Sequence, residues 1–221
     1  MKYTIGHLSL NVEEQGAGQP TLVFLHYWGG SLRTWDAVVA NLAGSHHCVA
    51  YDIRGWGKSD PAGSYSLSDM ASEAASPTPV RFPEEIRQQQ IHAYDNRETV
   101  LQTLGFLSAR PPALEIQEQI VADSLGASRE AVLAWPNIAL LEDISADVPN
   151  IDVPTLILAG EEDHLDSIEQ HRNEVQSRIP NARLEVICGS GHLIPIDEPV
   201  QLSQAIEKFV ASLRITTGVG Q

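Results

Sequence analysis

Apolar residues in the first third of the chain form short runs that predict strands. Residues 21–26 and 47–51 are largely apolar runs, typical of strands buried on both faces of a parallel sheet. Residues 3–12 alternate loosely between apolar and polar side chains and predict a further strand. Between the two buried runs, Ser31 can cap a helix whose apolar positions follow helical spacing.

After Pro149 the sequence again predicts strands that alternate with helices. Residues 154–159 and 183–188 predict strands, whereas 167–178 and 197–213 predict helices. Strands that alternate with helices indicate an α/β protein with a mostly parallel sheet flanked by helices.

Between these two parts, residues 83–142 are helical in pattern and contain no convincing strand. A helix that begins at Ser66 stops early, because residues 72–79 are small, polar and interrupted by proline. The pattern therefore predicts a core domain in two parts with an insert and a flexible tail. Their bounds are 1–76 and 148–214 for the core, 77–147 for the helical insert, and 215–221 for the tail.

Composition narrows the range of partners and locations. The 221 residues include 14 Lys and Arg against 29 Asp and Glu, a net charge of −15. Such a charge disfavours nucleic acid and anionic membrane surfaces as partners. No apolar run reaches the about 18 residues of a spanning helix, and the first residues lack a signal-peptide pattern. Two cysteines, Cys48 and Cys188, do not make a disulfide framework, so we expect a cytoplasmic protein.

Three loops that follow predicted strands carry candidate chemistry. Residues 26–30, with the sequence HYWGG, place two glycines at a strand-to-helix turn, where backbone N–H groups can form an oxyanion hole. Residues 160–164 contain Asp163, and residues 189–195 contain His192. An acid and, later, a histidine that each follow a parallel strand are typical of the second half of a hydrolytic triad.

These stretches resemble the α/β-hydrolase superfamily, in particular its cap-bearing esterase, haloperoxidase and lactonase members. The resemblance is carried by residues 22–35, 51–60, 153–166 and 184–195, and it extends over nearly the whole chain. It implies that His192 is the general base, that Asp163 orients it, and that the Tyr27 backbone N–H is an oxyanion donor. His26 would help to shape the oxyanion loop.

The resemblance also implies that the helical insert is a cap over a substrate pocket. Trp28, Tyr94 and Trp135 are then candidate pocket residues, although the same residues suit an ordinary apolar core. Proteins of this kind need no metal and no organic cofactor. Their partner would be a small-molecule ester-like substrate or ligand.

One part of the family pattern is missing. The sequence contains no G-x-S-x-G nucleophile elbow. Only 23 steps separate Asp60 from Pro83, and a strand, elbow, helix and second strand would need about 40 residues more. We infer that one segment is omitted between Ala71 and Pro79.

Three residues could replace the missing nucleophile, and none fits well. Ser124 lies in an A-x-S-x-G sequence, but it falls in a helical pattern with no preceding strand. Ser190 and Cys188 are too close to His192 in sequence to attack a substrate beside it, and we expect Cys188 to be a buried strand residue. The nucleophile is therefore unidentified.

The omission has structural and functional consequences. The strands at 21–26 and 154–159 would each lose a neighbour. They could pair directly and close a smaller sheet, or an exposed sheet edge could form a homodimer. We expect a serine ester or lactone hydrolase type that is impaired or inactive. The alternative is a non-catalytic binding or assembly protein, or an engineered or truncated variant.

Overall fold

A computed structural model of the chain describes residues 1–5, 7–61, 64–65 and 84–217. The helix predicted at Ser66, the stretch around 71–79 where the omission falls, and the last four residues lie outside these ranges.

The N-terminal strands form a four-stranded sheet in the order β1-β2-β4-β3. β1 (Lys2–Ile5) and β2 (Leu8–Gln15) are an antiparallel hairpin, and β2 is antiparallel to β4 (His47–Tyr51). β4 is parallel to β3 (Thr21–Leu25). The single strand predicted over 3–12 is thus two strands, because alternation of period two is the same on both arms of a hairpin and does not locate the turn.

A helical crossover joins β3 to β4. Ser31 caps a 3₁₀ turn at Leu32–Trp35, and its hydroxyl oxygen accepts a hydrogen bond from the Arg33 N–H at 3.1 Å. This confirms the predicted cap. α1 (Asp36–Leu42) follows and buries an apolar face made of Val38, Val39 and Leu42.

Among the described residues, four α-helices lie between β4 and the next strand, and we call them, with the segments that connect them, the helical block. They are α2 (Glu84–Ile91), α3 (Arg97–Leu107), α4 (Leu114–Leu125) and α5 (Arg129–Asn137). Asn96 begins α3 with a capping box, and the Ser128 hydroxyl caps α5. From residue 84 to residue 154, all of it described, the structure contains no strand, as the sequence predicts.

A second, separate sheet contains β5 (Thr155–Gly160) and β6 (Ala182–Ile187), which are parallel. Two short helical segments connect them, α6 (Ile168–Gln170) and a π-helical stretch at His171–Gln176.

The C-terminal helix predicted over 197–213 corresponds to α8 (Pro199–Thr217), and a short helix that was not predicted, α7 (Ile194–Asp197), precedes it. The break falls at Glu198, because a residue that precedes proline is disfavoured in the helical conformation. α8 continues into the predicted tail as far as Thr217, since no glycine or proline interrupts it before Gly218.

No strand ladder joins the two sheets in the part of the chain that the structure describes. Among the described residues, β3 pairs only with β4 and β5 pairs only with β6. The smaller closed sheet expected as one outcome is therefore wrong. Val23, in the middle of β3, is 58% exposed, which is unusual for an apolar residue in a parallel strand.

A shared core nevertheless packs the two sheets onto the same helices. It brings residues of β3 and β6 together with α1 and α8, and its members include Phe24, Leu42, Leu158, Ile187 and Leu202. Side-chain packing rather than backbone hydrogen bonding therefore connects the two halves of the core.

Candidate active site

Asp163 and His192 meet beyond the carboxyl ends of β5 and β6. Because parallel strands end at the same edge of a sheet, the two loops lie side by side. Nδ1 of His192 is 2.9 Å from Oδ2 of Asp163. The Asp163 side chain is only 4% exposed, and its other oxygen accepts hydrogen bonds from the N–H groups of Leu165 (2.8 Å) and Asp166 (3.1 Å). The carboxylate is thus fixed from both sides.

Asp163 and His192 each favour the charged form of the other, although burial disfavours both charged forms. Burial alone would raise the pKa of Asp163, but the hydrogen bond and charge of His192 outweigh burial and hold this pKa below its ordinary value. Burial would lower the pKa of His192, but Asp163 and then Asp166 outweigh it and raise this pKa. Since Nδ1 is bonded to Asp163, Nε2 is the nitrogen available for proton transfer.

The predicted oxyanion loop is built around a buried, neutral histidine. Nε2 of His26 accepts a hydrogen bond from the Ile53 N–H at 2.9 Å, so Nδ1 carries the proton and donates to the Tyr27 carbonyl oxygen at 2.8 Å. Burial lowers the pKa of His26 and keeps its ring uncharged. His26 therefore links the loop after β3 to the loop after β4.

The loop itself turns at Gly29, whose φ of +105° favours glycine. A Cβ at this position would lie 2.1 Å from the Tyr94 hydroxyl oxygen. The Gly30 N–H donates back to the Tyr27 carbonyl oxygen at 3.0 Å and closes the turn. Glycine is therefore required at position 29, because any Cβ there would clash with the Tyr94 side chain.

The three residues predicted to line a pocket are close together. The ring centroid of Trp28 lies 4.6 Å from that of Tyr94 and 6.5 Å from that of Trp135. Trp56 completes the group, with its ring centroid 6.4 Å from that of Trp28. Tyr94 and Trp56 are buried, whereas Trp28 and Trp135 are half-buried. The cluster joins the oxyanion loop to the helical block.

The two candidate serines are committed to other contacts, and the candidate cysteine is exposed. The Ser124 hydroxyl is buried in α4 and donates to the Gly29 carbonyl oxygen at 2.6 Å. The Ser190 hydroxyl, which is fully buried, donates to the Gly191 carbonyl oxygen at 3.1 Å. Cys188 is exposed, so its predicted burial in a strand is wrong: β6 ends one residue earlier, and the thiol lies in the loop. Within the described ranges, no serine or cysteine side chain hydrogen-bonds to His192.

Contacts that fix the two loops were not predictable from the sequence. Asp123, next to Ser124 on α4, accepts a hydrogen bond from the Ser31 hydroxyl at 2.8 Å and forms an ion pair with Arg33. Arg110 and Asp197 bind the loop that carries His192. Neither periodicity nor motif spacing distinguishes these residues from other surface charges.

In the described part of the chain, no group of three or more His, Cys, Asp or Glu side chains is placed to bind a metal ion. None of the described helices is both long and apolar enough to cross a bilayer.

Comparisons with known proteins agree on the fold. The family model described as "alpha/beta hydrolase fold" matches residues 128–199. The chain is also similar to an esterase from Exiguobacterium antarcticum (TM-score 0.78, 20% identity, 92% of this chain and 96% of that one). The enol-lactonase from Burkholderia xenovorans LB400 gives a TM-score of 0.77 with 16% identity, over 96% of this chain and all of that one. The chain has the α/β-hydrolase fold.

Two curated relatives extend the comparison. A pimeloyl-[acyl-carrier protein] methyl ester esterase from Pectobacterium carotovorum is 38% identical over 69 residues, 31% of this chain. The matched region spans only 27% of that relative's length. A Synechocystis protein assigned as a non-heme chloroperoxidase is 26% identical over 92% of this chain and 95% of its own length. That alignment has 263 positions, so at least 42 of them have no counterpart in a chain of 221 residues.

Proposed function

We propose that the chain is an α/β-hydrolase of the carboxylic-ester or lactone hydrolase type with impaired acyl-enzyme chemistry. The observation that carries the proposal is the 2.9 Å contact between His192 and the buried Asp163. A histidine held in this way by a carboxylate is a general base whose Nε2 faces the substrate. The loop that contains Tyr27 would stabilise the oxyanion.

The geometry supports direct hydrolysis by water, without an acyl-enzyme. Nε2 of His192 would take a proton from water, and the water oxygen would bond to the acyl carbon as the carbonyl oxygen becomes an oxyanion. The acyl C–O bond then breaks, and the leaving oxygen takes the proton from Nε2. We expect this reaction to be slow, because water is not held at the attack position as a side-chain nucleophile would be.

Three observations support the loss of the nucleophile. The sequence has no G-x-S-x-G. The hydroxyls of Ser124 and Ser190 are bonded elsewhere. The Synechocystis relative has residues at 42 or more positions where this chain has none, similar in length to the segment inferred to be missing.

The substrate class follows from the surroundings of the dyad. We propose that the helical block is the cap and that Trp28, Tyr94 and Trp135 form an apolar wall of the pocket. An apolar wall beside a base and an oxyanion loop suits a small ester or lactone without a charged acyl chain. The free thiols of Cys48 and Cys188 fit a reducing location such as the cytoplasm.

A second candidate function is non-catalytic binding or assembly. The specific observation that favours it is the exposed middle of β3 at Val23. An unpaired strand edge can accept a strand from another chain, and a second copy of this chain would give a homodimer.

The test is hydrolysis of an activated aryl ester by the wild-type chain and by His192→Ala. A matched control is His92→Ala, since His92 is exposed and pairs with Asp95 on the helical block. We expect slow turnover without a burst, a loss of about 100-fold in His192→Ala, and no change in the control. Equal rates for wild type and His192→Ala would overturn the proposal. No turnover, together with a doubled mass by light scattering, would favour assembly.

A further inference from the structure

We infer that the helical block holds the two halves of the site in register, with Arg110 and Ser124 as positioning residues. The catalytic consequence rests on the proposed function, but the geometry does not. Among the described residues no ladder joins β3 to β5. Within the described ranges, sheet hydrogen bonds therefore do not align the oxyanion loop with the loop that carries His192, and the helical block contacts both.

The end of α3 lies directly against the His192 loop. The Leu107 carbonyl oxygen accepts hydrogen bonds from the N–H groups of His192 (2.7 Å) and Leu193 (3.3 Å). A Cβ at Gly191 would lie 2.7 Å from that oxygen and 2.7 Å from the Ala109 nitrogen. The two backbones are thus in contact, and the main chain of His192 is fixed by the helical block.

Arg110 binds the same loop at two points. Its guanidinium donates to the carbonyl oxygens of Gly189 (2.9 Å) and Asp197 (2.8 Å). The buried Asp197 carboxylate accepts hydrogen bonds from the N–H groups of Gly191 (2.8 Å) and Ala109 (3.0 Å). The segment of residues 107–110 therefore spans the loop from one end to the other.

On the other side of the site, the helical block binds the oxyanion loop. The Ser124 hydroxyl donates to the Gly29 carbonyl oxygen at 2.6 Å, and the Tyr94 hydroxyl donates to the Trp28 carbonyl oxygen at 2.9 Å. The Trp28 indole in turn donates to the Val132 carbonyl oxygen at 3.2 Å. Two consecutive carbonyl groups of the loop are thus held from α4 and the segment before α3.

These bonds set the direction of the loop's N–H groups. A peptide unit is planar, and in its trans form the N–H points opposite to the C=O. Holding the Trp28 carbonyl fixes the Gly29 N–H, and holding the Gly29 carbonyl fixes the Gly30 N–H, which closes the turn on the Tyr27 carbonyl oxygen. The turn that carries the Tyr27 N–H, the expected oxyanion donor, is thus held in place before substrate arrives, and a donor fixed in advance stabilises an oxyanion at no cost of reorganisation. Ser124 and Tyr94 therefore act through the loop rather than on the substrate.

The first test replaces Arg110 with Ala and follows the titration of His192 by NMR of its imidazole. If Arg110 keeps His192 against Asp163, its loss lets the pair separate, and the His192 pKa falls toward its ordinary value. Loss of the Arg110 charge by itself would shift the His192 pKa in the opposite direction, because removing a nearby cation raises a histidine pKa. Arg97→Ala is the control, since Arg97 makes an exposed ion pair with Glu118 on the same block.

A lower His192 pKa in Arg110→Ala, with partial recovery in Arg110→Lys and no change in Arg97→Ala, is the expected result. A His192 pKa that is unchanged or raised in Arg110→Ala would overturn the inference for this side of the site. The readout needs no turnover, so a chain that hydrolyses no ester still gives a decisive result.

The second test compares Ser124→Ala with Ser177→Ala. Like Ser124, Ser177 donates its hydroxyl hydrogen to a backbone carbonyl oxygen. Its acceptor is the carbonyl of Asn173, one helical turn earlier, and this bond lies on the surface. Amide hydrogen exchange at Gly29 and Gly30 should accelerate about fivefold or more in Ser124→Ala, the factor that corresponds to one lost hydrogen bond. It should not change in Ser177→Ala. If the exchange rates of Gly29 and Gly30 in Ser124→Ala equal those in the wild type, a positioning role for Ser124 is contradicted.

Discussion

Oδ2 of Asp166 lies 3.9 Å from Nδ1 of His192, behind the hydrogen-bonded carboxylate of Asp163. Burial raises the pKa of Asp166, whereas the pKa of Asp163 is lowered. The two carboxylates are therefore not equivalent, and Asp163 carries the larger share of the stabilisation of protonated His192.

Replacing each carboxylate separately should reveal this difference. Asp163→Asn removes both the charge and the accepting oxygen of the short contact, so we expect a clear fall in the His192 pKa. Asp166→Asn removes only the more distant charge, and the fall should be smaller. NMR titration of His192 in the two variants measures both. A larger effect of Asp166→Asn would contradict the assignment of Asp163 as the orienting acid.

The pH dependence of hydrolysis should follow the neutral form of His192. A general base works when it is unprotonated, so the rate should rise with pH and level off above the His192 pKa. Because Asp163 and Asp166 raise this pKa, the midpoint should lie above the ordinary histidine value of 6.5. The kcat/KM profile of the wild type tests this, and in Asp163→Asn the midpoint should move to lower pH. A rate that falls as pH rises through this range would exclude His192 as the base.

The exposed edge of β3 gives a prediction about assembly. Val23→Lys replaces a side chain that is 58% exposed. The free energy of unfolding should therefore change by no more than about 0.5 kcal/mol. Val200→Lys is a control, since Val200 is 55% exposed on α8. We expect the wild type, Val23→Lys and Val200→Lys all to scatter light as monomers of 24.1 kDa. A doubled mass for the wild type and Val200→Lys that is lost only in Val23→Lys would support the homodimer.

The core that joins the two sheets should be sensitive to cavities. Leu42 is 1% exposed and belongs to the cluster that includes residues of β3 and β6. Leu42→Ala should lower the free energy of unfolding by about 2–5 kcal/mol. Leu114→Ala, at a position that is 74% exposed, should change it by less than about 0.5 kcal/mol. Urea unfolding followed by circular dichroism compares them, and equal losses would mean that the cluster does not hold the sheets together.

Local patterns predicted the strands and the dyad well. The strand at His47–Tyr51 matches the prediction residue for residue, because an apolar run between polar residues has few alternative boundaries. Asp163 and His192 could be paired from the sequence, since residues that follow adjacent parallel strands meet at one edge.

Features that depend on long-range contacts could not be predicted. The bond from Ser124 to Gly29 and those from Arg110 to the His192 loop join residues far apart in the chain, and no period or motif records them. The separation of the two sheets was likewise open, because the run at Thr21–Leu25 has the same apolar pattern whether one or both of its edges are paired.

The central claim is that the base and its acid are in place without a serine nucleophile. Intact-mass spectrometry after treatment with a fluorophosphonate tests it most directly, because such probes form a covalent adduct with an activated serine. The account predicts no stoichiometric adduct on the wild-type chain, with the same result for His192→Ala. A one-to-one adduct that depends on His192, on Ser124, Ser190 or any other serine, would contradict it.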